Sequence, residues 1–154
     1  MGRAPDIDAP RPAANKGATG KTSAMYSETT RSIKVTVRPF YLDQQSAPAE
    51  DRYVWAYHVR IENEGGQTVQ LRNRHWQITD ALGRLQEVRG PGVVGEEPVL
   101  KPGQTFEYTS ACPLTTPWGS MVGNYEMETP EGERFLIRIP TFALESPQDK
   151  RRLN

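Results

Sequence analysis

A glycine-rich segment with the spacing G-x-G-x-x-G could bind a phosphate group. It has the sequence Gly90-Pro91-Gly92-Val93-Val94-Gly95. In dinucleotide-binding folds this spacing lets the backbone approach a pyrophosphate that rests on the N-terminus of a following helix. No helical pattern follows here, because Glu96-Glu97-Pro98 comes next and places two carboxylates where an anion would lie. The sequence favours a loop between strands, which could contact a protein partner, over a phosphate site.

A second glycine motif, Gly17-Ala18-Thr19-Gly20-Lys21-Thr22, ends like a P-loop. A complete P-loop has another glycine five residues before Gly20, where this chain has Asn15, and needs a strand before it and a helix after it. The segment around it is rich in Ala and Pro, and Ile7 is its one branched aliphatic residue. This composition predicts that residues 1–25 form a disordered N-terminal arm and hold no nucleotide site.

Side chains that could bind a metal or act as nucleophiles are few. The two histidines and the one cysteine of the chain are His58, His75 and Cys112. A structural zinc site uses four such ligands in closely spaced pairs, and the sequence contains no such pair. No G-x-S-x-G motif is present, and a cysteine before a proline is more often a buried small hydrophobic residue than a nucleophile. We therefore expect a non-enzymatic protein with no catalytic residues, no metal and no cofactor.

Length and charge predict one folded domain with two flanking segments. The chain has 154 residues and a formal net charge of zero, and a single cysteine excludes an internal disulfide. Residues 26–144 carry 12 basic and 15 acidic side chains, which argues against a nucleic-acid-binding surface. No apolar run is long enough to insert into a membrane, and no secretory signal pattern is present, so we expect a cytoplasmic protein. The expected boundaries are 1–25 for the arm, 26–144 for the folded body and 145–154 for a C-terminal tail.

Alternating apolar and polar side chains predict short strands along the body. In the clearest case, residues 53–62, an apolar face contains Tyr53, Trp55, Tyr57, Val59 and Ile61. Similar alternation recurs along the chain, with turn signals about every ten residues. Seven or more strands at this spacing predict an all-β, two-sheet antiparallel sandwich. The aromatic-rich segments 53–61 and 121–127 are candidates for central strands.

Several motifs of the body resemble the ApaG (CorD) family. They are His75-Trp76-Gln77-Ile78-Thr79-Asp80, the loop from Gly90 to Gly95, Pro102-Gly103, Tyr108-Thr109-Ser110, Thr116-Pro117-Trp118-Gly119 and Tyr125-Glu126-Met127. The similarity extends from about Tyr26 to Ala143, and one departure is Glu96, where many members have glutamine. The resemblance implies a fibronectin type III-like (immunoglobulin-like) sandwich and a link to cobalt resistance and magnesium efflux. It also implies protein interaction, the role of this domain in eukaryotic F-box proteins, and it supplies no catalytic residues.

Three hypotheses for function remain open at this point. The first is a protein-interaction module that contacts an unidentified protein partner through a sheet edge or the 88–99 loop, with Glu96, Trp76 and Trp118 contributing. The second is phosphate or nucleotide binding through Gly90, Gly92 and Gly95, the positions onto which the pyrophosphate binding suggested for the family would map. The third is direct binding of a divalent cation, for which the lack of a His/Cys cluster favours an indirect role instead. Exposed edge strands would also permit a homodimer.

Overall fold

The computed structural model describes residues 24–149, which form nine strands and two short 3-10 turns, at 43–45 and 48–50. No helix among these residues is long and apolar enough to cross a membrane. In chain order the strands are β1 (Tyr26–Thr30), β2 (Ile33–Tyr41), β3 (Tyr53–Asn63), β4 (Val69–Asp80), β5 (Leu85–Pro91), β6 (Val99–Leu100), β7 (Thr105–Leu114), β8 (Trp118–Glu128) and β9 (Arg134–Glu145).

The strands form two antiparallel sheets that stack as a sandwich. The first sheet has the order β1-β2-β3-β7, and the second has the order β5-β4-β8-β9, with β6 paired to the start of β4. Most of the buried hydrophobic residues of both sheets form a single core cluster between them. This architecture confirms the predicted all-β, fibronectin type III-like sandwich of seven or more strands. The two aromatic-rich segments, now β3 and β8, are both internal strands.

An aromatic cluster packs between the two sheets. Tyr57 comes from β3, Trp76 from β4 and Phe142 from β9, and all three side chains are buried. Their ring centroids are 5.3 Å apart for Tyr57 and Trp76, 5.9 Å for Tyr57 and Phe142, and 6.0 Å for Trp76 and Phe142. These tilted and edge-on arrangements are the favoured geometries for aromatic pairs. The cluster therefore joins the sheets at the middle of the core.

Two of the hydrogen bonds that connect the sheets come from buried aromatic side chains. The indole Nε1 of Trp55 in β3 donates to the backbone oxygen of Glu145 in β9 at 2.9 Å. The hydroxyl oxygens of Tyr108 in β7 and Tyr125 in β8 lie 2.6 Å apart. Because buried polar groups are costly when unpaired, these bonds favour one relative position of the sheets over others.

The folded body extends past the predicted boundary at residue 144. Strand β9 continues to Glu145, and the side chains of Ser146 and Asp149 are buried in the turn that follows. The Ser146 hydroxyl donates to the backbone oxygen of Pro117 at 2.6 Å, which fastens this turn to the start of β8. Most of the predicted arm, residues 1–23, and the last part of the predicted tail, residues 150–154, lie outside the described residues.

Gly123 should contribute to stability because β4 and β8 approach closely beside Trp76. A Cβ atom at position 123 would overlap the backbone oxygen of His75 and lie 3.2 Å from the Cα atom of Trp76. Both obstacles are backbone atoms of a paired strand, so they have little room to move. We expect Gly123→Ala to lower the free energy of unfolding by about 1–3 kcal/mol, measured by urea denaturation.

Gly66→Ala is the matched control. A Cβ at position 66, in the turn before β4, meets no atom within 4 Å and needs no left-handed backbone. Its effect should stay within about 0.5 kcal/mol. Equal unfolding free energies for the two variants would contradict the role assigned to Gly123.

Candidate functional site

The outer face of the second sheet contains a shallow trough of about 400 Å³, next to the glycine-rich segment. Its lining comes from the four strands β5, β4, β8 and β9. The strand register places Arg89, His75 and Asn124 side by side in one row, and Asn73, Glu126 and Leu136 in the next. The trough therefore combines amide, basic, acidic and aliphatic side chains on a rigid sheet surface.

Contacts within the trough orient some side chains, whereas other side chains are mostly exposed to solvent. The Asn73 amide donates to Glu126 Oε1 at 2.7 Å, and Arg134 donates to the same oxygen at 3.2 Å. By contrast, Leu136 is 58% exposed, and the side chain of Arg89 is 68% exposed. The trough thus presents an aliphatic surface and a cation to solvent.

Glu87 supplies a fixed negative charge at the rim of the trough. A hydrogen bond from Gln77 is the largest cause that lowers the pKa of Glu87, opposed by some desolvation and supported by His75 and Arg89. The carboxylate lies 3.5 Å from Nε2 of His75 and 3.4 Å from a guanidinium nitrogen of Arg89. Glu87 is therefore ionised at neutral pH, and β5 displays opposite charges two residues apart.

The glycine-rich segment forms a two-residue hairpin turn and does not begin a helix. Val93 and Glu96 exchange backbone hydrogen bonds of 2.9 and 2.8 Å across Val94 and Gly95. The φ angles of the two central residues are 41° and 80°, and positive φ at both positions is typical of a type I′ turn. Val93 is fully buried and anchors the turn to the core, and β6 follows the turn along the chain.

Backbone N–H groups that could have contacted a phosphate are used inside the turn. The N–H of Gly92 donates to the backbone oxygen of Arg72 at 2.8 Å, while those of Val93 and Glu96 bond to each other's carbonyl oxygens. Phosphate-binding loops work by pointing such groups at the ligand. The turn lacks that arrangement at these three positions.

Close packing gives the other glycines of the motif a structural role. Arg74 Nη1 donates to the backbone oxygens of Pro91 and Gly92 at 3.0 and 3.1 Å. Its guanidinium lies over Gly90, where a Cβ atom would be 2.9 Å from Nη1. A Cβ on Gly92 would overlap the backbone oxygen of Glu96. Turn geometry and backbone packing thus account for Gly92 and Gly95, and the Arg74 guanidinium lies against Gly90.

The two tryptophans expected near the glycine loop do not form a surface with it. Trp76 is fully buried, so the expectation that it contacts a partner is wrong. Strand parity is the reason, because Trp76 and Ile78 share the face of β4 that points into the core. Trp118 is half-buried at the start of β8, eight residues or about 26 Å along the strand from Glu126. The structure does not bring Trp118 and the trough together.

His58 and Cys112 lie away from the trough. On the outer face of the first sheet, His58 Nδ1 is 2.8 Å from the Thr109 hydroxyl, and Nε2 is 2.8 Å from Glu107 Oε1. The hydrogen bond from His58 is the largest cause that lowers the pKa of Glu107, with Arg60 contributing. Cys112 is buried, and desolvation raises the pKa of its thiol to about 12. Within residues 24–149, no three His, Cys, Asp or Glu side chains are grouped so that they could hold a metal ion.

Asn73 could not be assigned to the trough from the sequence, because a β-bulge in β4 decides which way its side chain points. Before the bulge, Leu71 faces the core, and after it Trp76 does, although the two are five residues apart. Without the extra residue, Asn73 would share the inward face of Leu71. A change in the parity of apolar residues within one strand was the available signal.

Comparisons with known proteins agree with the resemblance of the sequence motifs. The ApaG domain family model matches residues 43–129. Relatives named Protein ApaG from Rhodospirillum centenum and Paramagnetospirillum magneticum are 70% and 65% identical over 130 residues. These alignments cover 84% of this chain and the full length of each relative.

Solved structures support the same grouping. A crystal structure described as an ApaA protein from Bordetella pertussis is 50% identical, with a TM-score of 0.73. That match covers 75% of this chain and 94% of the other. A second X-ray structure, 41% identical with a TM-score of 0.71, covers 78% of this chain and 91% of its own. Since the family model spans more than half of the sequence and whole relatives align with it, the chain belongs to the ApaG domain family.

Proposed function

We propose that this ApaG-family chain is a non-enzymatic, cytoplasmic protein-interaction module that contacts its partner through the trough. The observation that carries the proposal is the convergence of Leu136, Asn124 and Arg89 from three strands on one open face. Strands hold side chains in fixed relative positions, as specific recognition requires. The free thiol of Cys112 is compatible with a reducing compartment.

The chemistry of the trough fits a protein segment with an aliphatic side chain next to carbonyl or carboxylate groups. Leu136 offers apolar contact, and the Asn124 amide can both donate and accept hydrogen bonds. The exposed guanidinium of Arg89 can bind a carboxylate through two parallel hydrogen bonds. Apolar contact surrounded by polar groups is the usual composition of protein interfaces.

Two observations favour binding over catalysis. Cys112 is a poor nucleophile, because a pKa of about 12 leaves almost no thiolate at neutral pH. Glu107, His58 and Thr109 have the connectivity of a catalytic triad, but they lie on an open sheet face, where the His58 side chain is 33% exposed. Arg60 also bonds Glu107 at 2.8 Å. Electrostatic stabilisation of a transition state is far weaker in such a hydrated position than in a water-excluding pocket.

Phosphate or nucleotide binding through Gly90, Gly92 and Gly95 is the alternative, and it has less support. The glycine spacing and the family's suggested pyrophosphate binding favour it. The internal hydrogen bonds of the turn and the adjacent Glu96 and Glu97 carboxylates oppose it. We also propose that any link to cobalt resistance or magnesium efflux is indirect and passes through the protein partner.

Cys112 should be chemically inert in the folded protein. We expect no reaction with Ellman's reagent in native buffer at mildly alkaline pH and full reaction in denaturant, because burial keeps the thiol protonated and inaccessible. Ser27→Cys, on the exposed strand β1, is the positive control. Rapid native reaction of the wild-type thiol would reopen a catalytic role for Cys112.

A photo-crosslinking amino acid in place of Leu136 should capture the partner in cells. We expect one discrete protein adduct, identified by mass spectrometry, because position 136 faces the trough. The matched control is the same replacement at Leu82, which is 70% exposed in the turn between β4 and β5. The trough would be the wrong surface if position 136 gave no adduct, or if position 82 captured the same protein equally well.

ATP and diadenosine tetraphosphate should give no binding heat in calorimetry with the full chain at millimolar ligand. The expected reason is the internal use of the N–H groups of Gly92, Val93 and Glu96. Saturable heat that Gly95→Ala removed and Leu136→Ala left intact would support the alternative function.

A further inference from the structure

We propose that two copies of this chain associate through the free edge of β5, which pairs antiparallel with β5 of the second copy. The inference goes beyond the function of the trough and does not depend on the identity of its partner. It rests on which backbone groups face solvent along β5 and on the order of side chains that accompany them.

One side of the sandwich is closed by contacts between the sheets. Strands β1 and β9, the outermost strands on that side, lie against each other. The N–H of Arg138 in β9 donates to the Thr30 hydroxyl of β1 at 3.1 Å, and the N–H of Ala143 donates to the Tyr26 hydroxyl at 3.4 Å. A salt bridge of 3.0 Å between Arg138 and Glu28 adds to this closure. Within residues 24–149, the other outermost strands, β5 and β7, each have one neighbour in their sheet.

Alternate backbone groups of β5 face away from the sheet. Two hydrogen bonds to β4 fix the phase of the ladder, from the N–H of Asp80 to Arg84 O at 3.1 Å and from the N–H of Gly92 to Arg72 O at 2.8 Å. In an antiparallel pair every second residue bonds the neighbour, so the even-numbered residues of this segment pair with β4. The backbone groups of the odd-numbered residues therefore face the open edge. These residues are Leu85, Glu87, Arg89 and Pro91, and Pro91 has no N–H group.

The open edge of β5 is complementary to itself. When Val88 lies on a two-fold axis, Glu87 of each copy is directly opposite Arg89 of the other, and Leu85 is opposite Pro91. Glu87 and Arg89 then form two ion pairs between the copies, and Leu85 and Pro91 form two apolar contacts. Glu87 is ionised, and Arg89 and Leu85 are 68% and 57% exposed. The contact between Glu87 and Arg89 of one copy, 3.4 Å long and exposed to solvent, is weak enough to be exchanged for the pairs between copies. The antiparallel pattern provides about six backbone hydrogen bonds across the axis.

Strand β7 does not share this complementarity. Its backbone bonds to β3 follow the even-numbered residues, since the N–H of Asn63 donates to Gln104 O at 3.0 Å. The odd-numbered residues along its edge are Thr105, Glu107, Thr109, Ala111 and Pro113, with one charge among them. Self-pairing of β7 therefore gains no ion pair, and centring it on Glu107 would place like charges together. Of the two edges, β5 is therefore the one that fits a second copy.

Sedimentation equilibrium of the full chain tests the proposal through charge reversal. Wild type should show a monomer–dimer equilibrium, and Arg89→Glu or Glu87→Arg should weaken it at least about tenfold, because two-fold symmetry doubles each like-charge contact. The double variant E87R/R89E should restore dimerisation. An equimolar mixture of the two single variants should also dimerise, since each then meets its opposite charge. Lys101→Glu, which makes the same charge change in an exposed turn, should leave association unchanged.

Disulfide trapping tests the register. Val88→Cys in a Cys112→Ala background should form a disulfide-linked dimer under mild oxidation, because residue 88 meets its own copy on the axis. Leu85→Cys in the same background should not form this dimer, although position 85 is more exposed, because residue 85 faces Pro91 of the other copy.

A strictly monomeric wild type at millimolar concentration would overturn the proposal. Association that ignores both charge reversals, or trapping of the Leu85→Cys variant in preference to the Val88→Cys variant, would overturn it as well.

Discussion

The packing of Trp76 between the sheets is the interaction on which the rest of the structure depends. Its ring contacts Tyr57 of the first sheet and Phe142 of the second, and Gly123 allows β8 to lie close beside it. Full burial of one large apolar side chain contributes about 1.5–3 kcal/mol. Because Trp76 points inward, its neighbour His75 points outward, so the core also determines which residues line the trough.

The two long sides of the sandwich differ in whether the backbone groups at their edges have hydrogen-bond partners. On one side, the hydroxyls of Tyr26 and Thr30 accept hydrogen bonds from backbone N–H groups of β9. These N–H groups would otherwise be open to pairing with a strand of another chain. On the other side, β5 carries an acidic and a basic side chain, Glu87 and Arg89, on residues whose own N–H groups face the open edge. A row of like charges would repel another strand, whereas Glu87 and Arg89 repel only the wrong register.

The fold could be predicted from the sequence because most strands have a local pattern of alternating apolar and polar side chains. Alternation identified β3 and β8 as strands, and Pro39 was expected near a strand end or on an edge. In the structure Pro39 lies in β2 just past Val37, where pairing with β1 stops, so its missing N–H costs no ladder bond. The trough depends on the register between four strands and on the bulge next to Leu71. No local pattern specifies which strands become neighbours, and so Asn124 and Leu136 could not be grouped from sequence.

Edge pairing of β5 would engage Arg89, one of the trough residues, and leave Asn124 and Leu136 of each copy open to a partner. A two-fold axis perpendicular to the sheet keeps the outer faces of both copies on the same side. His75 of one copy and His75 of the other are then three strand spacings apart, or about 14 Å across the strands. Two troughs on one continuous face can engage a partner that presents two matching segments, and the second contact forms at high effective concentration. A single shallow trough of modest affinity can therefore take part in a durable complex without any deeper pocket.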